Sequence, residues 1–231
     1  MTHLSKYTNV LDMLPIHISN NSVYNYDGIE PGYYFKVMEA GGKVQRFWHQ
    51  YKFDEVVTRI PDGSRVLDVG CGPGSFIYRL LSQKKNCRAV GADLANGQIE
   101  FARENVGSKF SSDSVQFVSL DDGKLPEKLM NKQFDFATCI EVIEHIHPFY
   151  ALQMLEQMKR AIRPNGRVIL TTPNYRSLWP LIEVGLNLMS PVKYHEQHIS
   201  KFTPNSFAKF VETCGLKIEK FSTIFVAGPF L

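Results

Sequence analysis

The run Val66-Leu67-Asp68-Val69-Gly70-Cys71-Gly72-Pro73-Gly74 constrains this chain more than any other stretch. Arg65 to Val69 reads as a short apolar strand with an acid near its end, and Ser75 to Leu81 reads as a helix. Between them Gly70, Gly72 and Gly74 permit a tight turn with close backbone approach. A strand, a glycine turn and a helix in this order present backbone N–H groups at a helix N-terminus, which is the geometry that receives nucleotide-like ligands.

Residues beside the glycines narrow the ligand. A dinucleotide fingerprint asks for G-x-G-x-x-G, but Ser75 stands at the sixth position. Asp68, two residues before the first glycine, would repel a pyrophosphate. It suits a ligand carrying ammonium and sulfonium charges, as S-adenosylmethionine does. Arg88 to Asp93 reads as a second apolar strand whose acid lies 23 residues after Gly70, where a βαβ unit places a carboxylate to accept both ribose hydroxyls. A third strand, Val115 to Leu120, leads into Asp121-Asp122, either of which is also an ordinary turn residue.

The string V-L-D-V-G-C-G-P-G therefore resembles the first motif of class I S-adenosylmethionine-dependent methyltransferases. The resemblance implies that Asp68, Gly70, Cys71, Gly72, Gly74, Asp93, Leu94 and Ile140 border the cofactor. It further implies that Asp121 or Asp122 meets the adenine amino group, Asp121 matching the family spacing better.

Alternation continues along the chain. Phe134 to Ile140 reads as a fourth strand, Phe149 to Ile162 as an amphipathic helix, and Arg167 to Thr172 as a further strand after an Arg163-Pro164-Asn165-Gly166 turn. This order predicts an α/β, doubly wound, mainly parallel sheet with helices on both faces. The resemblance implies seven strands, and the I-R-P-N-G turn fits it with Asn165 where the family usually has glycine. Residues 1–60 are expected to form an N-terminal extension and cap helices, and 61–231 the cofactor-binding domain, with a lid insertion at about 175–203. In the front segment Tyr33, Tyr34, Phe35, Phe47, Trp48 and Tyr51 fall at helical spacing, which serves a core as readily as a substrate. The family fold ends in an antiparallel hairpin, for which the sixteen residues after Gly215 leave barely enough chain.

The sharpest chemistry lies in Glu141-Val142-Ile143-Glu144-His145, directly after the fourth strand. Ligands of open α/β sheets bind outside the carboxyl ends of strands. If the segment turns helically, Glu141, Glu144 and His145 share one face at i, i+3 and i+4. Two acids and an imidazole suit a hard divalent ion such as Mg²⁺ or Mn²⁺, and His198 in H-I-S-K-F-T is a further donor, with His195 as its alternate. Without a metal, His145 is the leading general base, with Glu144 beside it; His147, before Pro148, reads as a surface residue.

E-V-I-E-H with the downstream T-P-N-Y and H-x-x-x-F resembles two metal-dependent O-methyltransferase groups, those of ubiquinone biosynthesis and those acting on the terminal ribose of small RNAs. The resemblance implies Glu141, Glu144, His145 and His198 as metal ligands and an acceptor with vicinal hydroxyls. A small hydroxylated molecule such as a catechol or diol is the expected acceptor. A small-RNA or glycan O-methyltransferase is the alternative within the chemistry; an NAD-dependent oxidoreductase and a non-catalytic cofactor-binding protein are the alternatives outside it.

Composition sets the outer limits. The 231 residues, 44% apolar and 21% charged, suffice for one substantial core. A net charge of +3 with scattered Lys and Arg gives nucleic acid no support without excluding it. Cys71, Cys87, Cys139 and Cys214 are widely spaced, form no C-x-x-C pair, and read as buried thiols of a cytoplasmic protein. The first thirty residues do not resemble a signal peptide, and Leu178 to Val192 is too interrupted by Pro180, Glu183 and Pro191 to span a bilayer. Oligomeric state is left open.

Overall fold

The structure, a computed structural model, describes residues 29–177 and 198–224. The N-terminal stretch before residue 29, most of the expected lid including His195, the Leu178–Val192 stretch and the C-terminal residues from 225 lie outside the described residues. Two helices, α1 (Tyr33–Ala40) and α2 (Lys43–Val57), precede β1 (Arg65–Val69) and α3 (Ser75–Gln83). The chain continues through β2 (Arg88–Asp93), α4 (Asn96–Asn105), β3 (Val115–Ser119), β4 (Phe134–Ile140), α5 (Pro148–Ala161), β5 (Ile162–Thr171) and α6 (Pro204–Thr213). Short 3₁₀ turns lie at Gly107–Lys109, Glu127–Leu129 and Ile143–His145.

The sheet has the order β3-β2-β1-β4-β5, with β1 parallel to β2 and β4, and β2 parallel to β3. This is the expected parallel α/β architecture with flanking helices. Five strands are present among the described residues rather than seven, because the segment after α6 carries no strand up to residue 224. β5 also begins earlier than expected, at Ile162. Asn165 takes a left-handed φ of 66°, so the Asn-Gly pair bends the chain within β5 instead of preceding it.

Two compact units make up the chain. One includes Tyr26–Ile140 and Gln157–Ile169, and the other includes Glu141–Glu156 and Leu170–Thr223. In the first unit, registered neighbours Val66, Ala89, Val115 and Phe136 form a row across the sheet. They are buried in one hydrophobic cluster with Phe35, Met38, Phe53, Phe76, Ile77, Leu80 and Ile99 from the first four helices. Leu67 and Ala137, on the opposite parity, are equally buried, which accounts for the nearly continuous apolar composition of β1 and β4.

The aromatic residues of the front segment divide between core and surface. Phe35 enters the core against Tyr78 and Phe101, whereas Phe47, 42% exposed, stacks on Tyr51 at 5.4 Å on the helix surface. Both helices pack along α3, and Asp54 of α2 receives Arg79 of α3 in a bidentate pair at 2.6–2.9 Å. The entry to α1 is fixed by Gln98 of α4, whose Oε1 accepts the Gly32 N–H at 3.0 Å.

In the second unit, α6 opens with Pro204 at its first turn and a capping box in which Thr203 and Ser206 exchange hydrogen bonds. Its apolar face buries Phe207, Phe210 and Val211, and Phe202 packs on the first two at 5.2 and 5.4 Å. No helix among the described residues is long and apolar enough to cross a membrane. All four cysteines are buried free thiols.

Candidate functional site

The glycine turn folds onto the end of β2. Gly70 and Cys71 donate their N–H groups to Ala92 O at 2.8 and 3.2 Å, Gly72 donates to Asp93 Oδ2 at 2.7 Å, and Gly74 donates to Cys71 O at 3.0 Å. Gly70, Gly72 and Gly74 all adopt left-handed φ values, 77°, 51° and 79°, which side chains rarely tolerate. The expectation of free N–H groups in the turn needs correction: these four are satisfied by the protein itself. What remains for a ligand is the first turn of α3, where Ser75, Phe76 and Ile77 precede the first helical bond, from Tyr78 N–H to Gly74 O. No side chain caps that helix, and the Ser75 hydroxyl is buried without a hydrogen-bond partner among the described residues.

Asp68 is 2% exposed at the end of β1. Thr138 of β4, its partner in the parallel ladder, donates from Oγ1 to Asp68 Oδ1 at 2.7 Å. Burial pushes the Asp68 carboxyl up to about 7; Thr138 opposes the rise and the nearby Asp93 charge adds to it. Asp93 is itself raised by burial, against the hydrogen bonds it accepts from Ala95, Gly72 and Leu94 N–H groups. Its Oδ1 lies 2.8 Å from the Ala95 nitrogen. Burial also pushes the Cys71 thiol well above its usual value, so it stays protonated.

Leu94 stands 54% exposed after β2, and Ile140 is buried at the end of β4. Asp121 and Asp122 lie on an exposed turn, closed by the Lys124 N–H donating to Asp121 O at 2.9 Å, with Asp122 at a left-handed φ of 49°. Thr138 is a residue that the sequence alone does not single out. Its signal is a hydroxyl within the buried F-A-T-C-I run that ends the strand.

The acid and histidine segment does not form the expected helical face. Glu141 takes a left-handed φ of 54°, and the 3₁₀ turn begins only at Ile143. Glu141 turns to Thr171: its N–H donates to Thr171 O at 3.2 Å, and its Oε1 accepts from Thr171 Oγ1 at 2.7 Å. Glu144, His145 and His198 do converge, with one ligand atom from each lying within 4.8 Å of the others. Glu144 is 1% exposed, accepts from Thr172 Oγ1 at 3.1 Å, and lies 3.8 Å from His145 Nε2.

The segment carrying His198 is tied to this turn by Ser200, which donates its N–H to Glu144 O at 2.9 Å and its hydroxyl to Ile146 O at 3.2 Å. The His145 and His198 rings sit 4.8 Å apart. His198 Nδ1 is hydrogen bonded to the Tyr175 hydroxyl. Burial, with His145 and Lys201 adding to it, lowers His198 to about 3, so the imidazole is neutral. His147 stands apart at the start of α5, where its Nδ1 accepts the Phe149 N–H at 3.3 Å.

Comparison with known proteins places this architecture in a class. A methyltransferase-domain family model matches residues 42–220, and the chain belongs to that family. Together with the fold and the glycine turn, this makes it a class I S-adenosylmethionine-dependent methyltransferase.

Among curated relatives, the ubiquinone biosynthesis O-methyltransferase of Haemophilus ducreyi is 29% identical over 140 residues, 58% of this chain and 57% of that protein. The enzyme of the same name from Rickettsia canadensis is 28% identical over 178 residues, 74% of this chain and 71% of that protein. The chain thus spans little more than half of the first of these relatives. Of solved structures, magnesium protoporphyrin IX methyltransferase from Synechocystis PCC 6803 with bound SAH superposes with a TM-score of 0.60 at 19% identity, covering 81% of this chain and 84% of that one.

Proposed function

We propose that this protein transfers a methyl group from S-adenosylmethionine to an oxygen of a small acceptor with vicinal hydroxyls, a catechol or diol, held through a divalent ion by Glu144, His145 and His198. The observation that carries the reading is the convergence of these three side chains within 4.8 Å, in a segment that follows the cofactor strand β4 in the chain. The O-methyltransferase relatives support the direction of transfer.

The residues suit both groups. For the cofactor, Asp68 offers a carboxylate to the ammonium, Asp93 offers acceptors to the ribose, and the uncapped α3 N-terminus with the Ser75 hydroxyl offers donors to a carboxylate. When bound, S-adenosylmethionine supplies a methyl group activated by its sulfonium charge. For the ion, two imidazoles and one carboxylate form a donor set that suits Mn²⁺ better than Mg²⁺, which prefers oxygen. Such an ion supplies a lowered pKa to a chelated hydroxyl.

The protein's own part is orientation. Thr172 fixes the Glu144 carboxylate, Tyr175 fixes the His198 ring, and Ser200 holds the two backbones together.

Two measurements test the reading. The thermal unfolding temperature should rise with S-adenosylhomocysteine and stay unchanged with NAD. Methyl transfer to a panel of catechols and diols should require Mn²⁺ and stop with chelator. A rise with NAD alone, or transfer to these acceptors that survives chelation, overturns it.

A further inference from the structure

We propose that Thr138 is a positioning residue for the cofactor: its hydroxyl holds the Asp68 carboxyl at the end of β1 and keeps it ready to receive the ligand's ammonium group. This inference rests on the cofactor reading above. Thr138 is completely buried in the middle of the sheet, where valine would fill the same volume without a polar atom. A buried hydroxyl is costly unless it is hydrogen bonded, so its presence there calls for a partner.

That partner is Asp68. Thr138 Oγ1 lies 2.7 Å from Asp68 Oδ1 and 3.4 Å from Leu67 O, and a hydroxyl has one proton to donate. When Asp68 is ionised, the short contact takes that proton. When Asp68 is protonated, the hydroxyl accepts from it and turns its own proton toward Leu67. Both protonation states are accommodated, but only the ionised one attracts an ammonium.

Thr138 is the sole hydrogen-bond partner of the Asp68 carboxyl among the described residues. The titratable groups facing Asp68 are Asp93, at the end of β2, and the Cys71 thiol in the turn. Neither brings a positive charge, and Asp93 acts against ionisation. The Thr138 hydrogen bond is therefore what favours the carboxylate until the ligand's own cation arrives.

The test measures S-adenosylhomocysteine affinity by calorimetry for the wild type, Thr138→Val and Thr138→Ser at pH 6.5 and 8.5, with thermal unfolding of each. Thr138→Val should bind about tenfold more weakly at pH 6.5, because without the hydroxyl a smaller fraction of Asp68 is ionised there, and it should recover most of that loss at pH 8.5. Serine should restore the wild-type profile. Binding to the wild type at pH 6.5 should also release protons, seen as an enthalpy that depends on the buffer.

A valine variant equal to the wild type at both pH values, or weakened equally at both, overturns the proposal. Should Thr138→Val not fold, Thr138→Ala carries the same expectation at the same two pH values, and binding equal to the wild type at both overturns the proposal. A wild type that fails to bind S-adenosylhomocysteine at either pH refutes the cofactor reading instead, before any variant is compared.

Discussion

Asp93 accepts the backbone N–H of Gly72 at 2.7 Å, so the acid proposed to meet a ribose also fastens the glycine turn to the end of β2. The same carboxylate accepts the Ala95 N–H at 2.8 Å, where the chain enters α4. With the Leu94 N–H as a third donor, the carboxylate keeps acceptor capacity for a ligand hydroxyl. On the proposed cofactor reading, turn geometry and ligand recognition thus depend on one side chain.

Replacing that side chain should damage both properties. Asp93→Ala leaves the Gly72, Ala95 and Leu94 N–H groups without their acceptor and should cost about 1–3 kcal/mol of stability in urea unfolding. It should also weaken S-adenosylhomocysteine binding by more than tenfold. Asp93→Asn, which keeps one acceptor oxygen, should recover part of the stability and less of the affinity. Unchanged stability in the alanine variant would show that the turn does not need this anchor.

The attachment of the front helices is equally specific. Gly32 has a φ of 78°, and a Cβ built there would stand 2.1 Å from the Phe101 ring, too close for any real contact. Gly32→Ala should therefore destabilise the protein by about 1–3 kcal/mol through backbone strain and displaced packing. Limited proteolysis should cut first around α1, reporting its release from α4; a variant with wild-type stability and cleavage pattern would contradict this account.

Much of this fold was legible in the chain because parallel strands buried on both faces are continuous apolar runs. β1, β2 and β4 have the bounds expected from their residues, Arg65–Val69, Arg88–Asp93 and Phe134–Ile140. Side-chain direction was harder to read. A shared face at i, i+3 and i+4 requires a helix from Glu141, but that residue is left-handed and pairs with Thr171, a contact 30 positions away. Thr138 is not marked in the sequence for a related reason: its meaning comes from the register that sets it opposite Asp68, and register is not visible in either strand alone.

Asp68 makes stability depend on pH in a definite direction. Its carboxyl is raised from its ordinary value, 3.8, to about 7, so the folded state binds more protons than the unfolded chain between those values. The stabilisation is complete below the unfolded pKa and is lost as pH rises through about 7. Asp68→Asn removes the titration. The wild type should therefore lose stability relative to Asp68→Asn between pH 5 and pH 8, by an amount on the order of a few kcal/mol, measured by urea unfolding. A constant difference across that range would show that Asp68 titrates normally.

The different placement of the two glutamates separates their roles. Glu144 is buried beside His145 and His198, whereas Glu141 points to the Thr171 hydroxyl. Under the proposed metal reading, Glu144→Gln removes the only anionic donor of the cluster and should weaken Mn²⁺ binding by about tenfold or more, one charge-assisted contact being worth at least about 1.4 kcal/mol. His198→Ala should do the same by removing a neutral imidazole. Glu141→Gln should bind Mn²⁺ within about twofold of the wild type, since its carboxylate lies outside the set. All three should keep their affinity for S-adenosylhomocysteine, measured in the same preparations. Manganese binding followed by electron paramagnetic resonance decides the matter without an acceptor in hand. Loss in Glu141→Gln equal to that in Glu144→Gln would mean that Glu141 swings into the cluster when the ion binds, restoring the two-acid donor set that the order of residues suggests.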